Sequence, residues 1–156
     1  MEIDHSSQVG DEMDYTTNSP FVKSLMTGLA IGVSDTILSL LFNLFYRHDA
    51  TSGYFSSDYV SVSSIIFGIN ILFVVIGLLF AAVQGGGRLA EWVFSLVFLV
   101  LTIVGVIAAM GVHPWADPLQ NNRFHGLLAG LVIIVGVSAA LLPVIYHNRK
   151  FRQYVL

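Results

Sequence analysis

Residues 21–46 read FVKSLMTGLAIGVSDTILSLLFNLFY, an apolar stretch with Lys23 near its start and a single acidic residue, Asp35, near its centre. A helix needs about 20 apolar residues to cross the hydrocarbon core of a bilayer, which is about 30 Å thick. This stretch meets that requirement. It therefore predicts a transmembrane helix that carries one acidic side chain at mid-depth.

Three more apolar stretches follow at 59–84, 92–112 and 124–146. Each is too long and too uniformly apolar for a helix of a soluble core, and the strands of membrane β-barrels are only about 10 residues long with strict alternation. The glycines at 85–87 allow a tight turn between the second and third stretches. The sequence predicts an all-α membrane protein, an antiparallel four-helix transmembrane bundle over 21–146.

The composition excludes several classes of function. Hydrophobic residues make up 55% of the 156 residues and charged residues 11%, against about 25% in soluble domains. The chain has no cysteine. It also lacks a phosphate-binding loop, a nucleophile elbow, a dinucleotide fingerprint and a basic nucleic-acid patch. We therefore predict no enzyme, no cofactor and no nucleic-acid partner; the expected partners are the lipid bilayer and a second copy or a larger membrane protein.

Charge outside the apolar stretches predicts the orientation. Residues 1–20 are polar and acidic and predict a disordered tail, whereas 147–156 form a short basic tail. With four crossings, both tails and the glycine turn share one side of the membrane, which carries five Lys and Arg residues against two on the other side. The positive-inside rule then places both termini in the cytoplasm. Small size and the lack of eukaryotic features favour a bacterial inner membrane.

Small residues predict where the helices touch. Lipid tails are as apolar as leucine, so membrane helices associate through close backbone approach and interhelical hydrogen bonds. Glycines at helical spacing in the first and fourth stretches, and one in the second, are the candidates for this role: Gly28, Gly32, Gly77, Gly126 and Gly130.

Polar side chains near the middle of each stretch predict a layer at the bilayer midplane, formed by Asp35, Asn70, Thr102 and Ser138. An ionised aspartate at the centre of a membrane helix costs about 2.5–3.5 kcal/mol on insertion scales. No Lys or Arg lies at the same depth. We therefore expect Asp35 to be protonated and to donate to Asn70 or Thr102. The layer is either a structural network that fixes helix register or a proton or ion site.

Three histidines lie in or beside the predicted outer loops and are candidate metal ligands, although their spacing matches no helical ligand pair: His48, His113 and His125. Three functions follow from these features. The first is an accessory or structural membrane protein. The second is a small proton- or cation-linked transporter or channel subunit that uses Asp35. The third is a metal-dependent membrane enzyme that uses the histidines. The sequence favours the first.

Overall fold

The computed structural model describes residues 19–49, 60–113 and 117–148, and these residues are helical with no strand among them. Helix α1 spans Pro20–Asp49, α2 Val62–Val83, α3 Gly87–Met110 and α4 Pro118–His147, with a 3-10 turn at Gln84–Gly86. The helices begin and end within a few residues of the predicted apolar stretches. The predicted tails, 1–20 and 147–156, lie almost entirely outside the described residues.

Local sequence explains where the helices start. Ser61 precedes α2 in an extended conformation, and its side chain accepts a hydrogen bond from the Ser64 backbone N–H at 3.1 Å. The Asp117 side chain likewise precedes α4 and accepts a hydrogen bond from the Leu119 backbone N–H at 3.0 Å. Pro118 lies in the first turn of α4. Both are standard helix caps that satisfy otherwise unpaired backbone donors.

Three stretches among the described residues are long and apolar enough to cross a membrane: Pro20–Tyr46, Val62–Met110 and Pro118–His147. They are typical of an integral membrane protein. The middle stretch, at 49 residues, is divided by the 3-10 turn and by Gly87, whose φ of 74° is readily adopted only by glycine. The rings of Phe80 and Phe94 lie 5.3 Å apart, whereas a straight helix would separate them by about 21 Å. The chain therefore reverses direction between α2 and α3.

Helices α1 and α2 pack with their backbones in close contact. A Cβ atom added at Gly28 would lie 2.8 Å from the Phe73 carbonyl oxygen and 3.0 Å from the Gly77 Cα. One added at Gly32, a turn further along α1, would lie 2.9 Å from the Phe73 Cβ. Three of the five predicted packing glycines thus lie on this seam.

Helices α1 and α4 run antiparallel with aromatic rings of α1 set against glycines of α4. The Tyr46 ring covers Gly126, and its hydroxyl donates to the Arg123 carbonyl at 3.0 Å. The Phe42 ring, one turn before Tyr46 in α1, covers Gly130, which is one turn after Gly126 in α4. The two remaining predicted packing glycines therefore receive rings rather than another backbone.

Helices α3 and α4 form the other closely packed pair. The Thr102 side chain occupies the space beside Gly136, and the Ser95 hydroxyl donates to the Ala140 carbonyl at 2.8 Å. Away from the turn, a mainly apolar crevice of about 430 Å³ lies among α2, α3 and α4. Side chains with no more than 2% exposure fill the rest of the centre: Phe73, Ile76, Phe80, Leu127 and Leu142.

Candidate functional site in the α1–α4 groove

One face of α1 carries a run of buried polar side chains, with exposures of 0–8%: Ser24, Thr27, Asp35, Thr36, Ser39 and Asn43. Several of these hydroxyls donate to the carbonyl oxygen four residues earlier in α1, as Thr27 does to Lys23 at 2.8 Å and Thr36 to Gly32 at 2.8 Å. Such bonds satisfy a hydroxyl inside an apolar environment without a partner from another helix. Three of the six, Ser24, Thr27 and Thr36, are therefore hydrogen-bonded within α1 itself.

Asp35 is a member of this face whose side chain is hydrogen-bonded to α4. Its side chain is 2% exposed, and Oδ1 accepts a hydrogen bond of 2.6 Å from the Ser138 hydroxyl of α4. Its second oxygen, Oδ2, is buried without a hydrogen-bond partner. The expected bond to Asn70 or Thr102 is not formed, and Ser138 takes that place.

The register of the α1–α4 seam explains this partner. Asp35 lies two turns from Phe42 along α1, and Ser138 lies two turns from Gly130 along α4 in the opposite direction. Once the Phe42 ring is seated on Gly130, the antiparallel geometry brings Asp35 and Ser138 face to face. The sequence shows only that Phe42 and Tyr46, like Gly126 and Gly130, are four residues apart; which glycines receive the rings is seen in the tertiary structure.

The other two members of the predicted midplane layer lie on different seams. Asn70 of α2 donates through Nδ2 to the Thr36 hydroxyl at 3.0 Å and to the Ile66 carbonyl at 2.8 Å. Thr102 of α3 donates to the Phe98 carbonyl at 2.7 Å. The four predicted residues therefore do not form a single network. Asp35 and Ser138 bond to each other between α1 and α4, Asn70 bonds to α1, and Thr102 is satisfied within α3.

A groove of about 280 Å³ lies beside Asp35 and Ser138, between α1 and α4. Apart from the hydroxyls of Ser34 and Ser138 and the carboxyl group of Asp35, its walls are aliphatic. Ser34, Leu38 and Leu141 on its rim are exposed, so the groove opens on the outer surface of the helix pair.

A second unpartnered atom lies one turn from Asp35 on the same face of α1. Ser39 has 0% exposure, and its hydroxyl oxygen has no hydrogen-bond partner. Residues four apart on a helix have Cβ atoms about 5–6 Å apart. Buried polar atoms in native proteins are nearly always hydrogen-bonded, so these two neighbouring exceptions make Asp35 and Ser39 the candidate site on this face of α1.

The histidines converge only in part. The rings of His113 and His125 lie 5.1 Å apart, and each ring bonds to a backbone carbonyl, His113 to Gly111 at 2.9 Å and His125 to Val112 at 2.6 Å. His48 is exposed near the end of α1. Across residues 19–49, 60–113 and 117–148, no three His, Cys, Asp or Glu side chains are grouped so that they could hold a metal ion.

No protein-family model, curated protein or solved structure matches this chain. Its function therefore has to be inferred from its own residues and their geometry.

Proposed function

We propose that the chain crosses a membrane four times, with both termini in the cytoplasm, in a bacterial inner membrane. The contacts at the ends of the helices support the four crossings. The Phe80 ring lies 5.4 Å from that of Tyr146, and Glu91 Oε2 lies 3.7 Å from His147 Nδ1, so the α2–α3 turn is beside the end of α4. Tyr46 meets Arg123 at the opposite end. Each helix is long enough for one crossing.

We further propose that the protein binds a proton or a small cation at Asp35, as a small proton- or cation-linked transporter or channel subunit. A single observation carries this proposal: Asp35 is buried between α1 and α4 with one oxygen bonded to Ser138 and the other unpartnered. A purely structural carboxyl group would be expected to have both oxygens satisfied.

Electrostatics explains why such a group suits reversible binding. The ionised form costs about 2.5–3.5 kcal/mol at the centre of a membrane helix, and no basic side chain lines the groove among the described residues. A bound proton or cation neutralises the carboxylate and removes that cost. The Ser138 hydroxyl can remain hydrogen-bonded to Oδ1 in both states, so the helix pair can persist while the site is loaded and emptied.

Infrared spectroscopy of the protein in lipid tests this proposal. The wild type is expected to show the carbonyl band of a protonated, buried carboxyl group, which is replaced by carboxylate bands as the pH is raised. Asp35→Asn removes the band, whereas the matched control Glu91→Gln, which removes an acid near the end of the bundle, leaves it unchanged. A band that survives Asp35→Asn, or an Asp35 carboxyl group that never changes ionisation across the pH range, overturns the proposal.

An accessory or structural role, alone or with a larger membrane partner, is the second candidate. The contact between the backbones of Gly28 and Gly77 favours it, because such close approach makes a rigid helix pair. The two candidates differ in one outcome. Under the structural role, Asp35→Asn would change stability only; under the binding role, it would abolish proton or cation binding in a bundle that still folds.

A further inference from the structure

We propose that the α1–α4 groove binds a small primary amine with an apolar body, which enters sideways from the bilayer. This inference rests on the proposed function of Asp35 and names the class of ligand. The groove has about 280 Å³, close to the lower limit of about 300 Å³ for ligand pockets, so it suits a small molecule. Its aliphatic walls suit an apolar body, and the carboxyl group suits a basic nitrogen.

The composition of the groove selects a base over an anion. Asp35 is its acidic side chain, and Ser34 and Ser138 supply hydroxyl groups. None of its lining residues is Lys, Arg or His. An anion would lose its hydration in an apolar environment, without a positive charge in the groove to offset that cost. An amine can donate hydrogen bonds to the carboxyl group of Asp35 and to the hydroxyl oxygens of Ser34 and Ser138.

Proton transfer makes this binding electrically neutral. A neutral amine reaches the groove through the acyl chains, and its nitrogen lone pair forms an N–H bond to the carboxyl proton of Asp35. The O–H bond breaks, and its electron pair stays on the carboxyl oxygen. The groove then holds an ammonium–carboxylate pair whose net charge is zero, as it was before, so no net charge is moved into the membrane.

The carboxyl group needs only a small motion to meet the ligand. Oδ2 is buried. The terminal torsion of aspartate is broad, so the group can turn toward the groove, where Asp35 already lines the wall. Ser138 is on the facing wall and remains within reach of the other oxygen.

Benzylamine and benzyl alcohol, which share the ring but differ in basicity, provide the test. Benzylamine is expected to convert the protonated Asp35 infrared band into carboxylate bands at constant pH, whereas benzyl alcohol leaves it unchanged. Asp35→Asn is expected to weaken benzylamine binding by about tenfold or more, and Glu91→Gln to leave it unchanged.

A second pair of variants tests the location. Ala30 lines the groove, so Ala30→Leu fills it and is expected to weaken benzylamine binding while keeping the protonated Asp35 band. Ala82 is exposed on α2, and Ala82→Leu is the matched control with no expected effect. If benzylamine does not bind but pH still converts the band, the amine is wrong and the proton site stands. If neither benzylamine nor a change of pH converts the protonated Asp35 band, both the amine proposal and the proton-site proposal fail. Equal binding by the two Ala variants overturns the groove as the location.

Discussion

The Ser138 hydroxyl donates to Asp35 Oδ1 across the α1–α4 interface at 2.6 Å, between residues 103 positions apart in the chain. It joins an acidic side chain that is 2% exposed to a helix that the chain reaches only after three reversals of direction. The bond links the candidate binding site to the packing of the bundle. Its loss should therefore be detectable in stability as well as in binding.

Ser138→Ala is expected to destabilise the α1–α4 pair by about 0.6–1.7 kcal/mol, the range for interhelical hydrogen bonds in membranes. It leaves both Asp35 oxygens unpartnered, because Oδ2 has no partner in the wild type. Ser34→Ala is the control, since that hydroxyl bonds only to the Ala30 carbonyl of its own helix. Unfolding in mixed micelles with increasing SDS measures both. Equal losses for the two variants would show that the Asp35–Ser138 bond contributes nothing specific.

Gly28→Ala is expected to destabilise the protein by about 1–3 kcal/mol, as overpacking does in a closely packed core. The added methyl group would meet backbone atoms of Phe73 and Gly77, which cannot rotate away. Gly68→Ala, at a position of α2 where a Cβ meets nothing within 4 Å, is the matched control and should be neutral or slightly stabilising. Thermal unfolding in detergent compares the two. A stable Gly28→Ala protein would mean that α1 and α2 are not in backbone contact.

Tyr46→Phe and Gly126→Ala are expected to be non-additive. The first removes the hydrogen bond to the Arg123 carbonyl, worth about 0.5–1.5 kcal/mol. The second places a methyl group against the Tyr46 hydroxyl. In the double variant the hydroxyl is absent, so its total loss of stability should be smaller than the sum of the single losses. Strict additivity in the double-mutant cycle would show that the ring does not cover Gly126.

Single cysteines test the number of crossings, because the chain has no native cysteine. Gly85→Cys is tolerated at the α2–α3 turn, where a Cβ meets nothing within 4 Å, and Leu119 is 60% exposed near the start of α4. In bacterial spheroplasts, a membrane-impermeant maleimide is expected to label Leu119→Cys. It should label Gly85→Cys only after lysis. Labelling of both positions from the same side would contradict four crossings.

The sequence by itself determined that the chain is all-helical, with helices long and apolar enough to cross a membrane. The length of the apolar segments and the lack of alternation in them exclude strands. Helix ends are also local: the glycines at 85–87 separate the second and third apolar stretches, and the side chains of Ser61 and Asp117 cap the starts of α2 and α4. The polar face of α1 is a local property of the same kind, because helical periodicity places Asp35, Ser39 and Asn43 on one side of a single segment.

The tertiary structure alone decided which polar groups meet. The predicted midplane layer was based only on the depth of each residue in the membrane. A hydrogen bond between two helices also requires that each helix is rotated so that the two side chains face each other and that the helices are in register. An offset of a single turn changes the partner. Rings of α1 seated on Gly126 and Gly130 set that register and bring Ser138, rather than Asn70 or Thr102, to Asp35. The shape of such contacts depends on segments far apart in the chain. The local sequence pattern of either helix therefore does not specify the contact between Asp35 and Ser138.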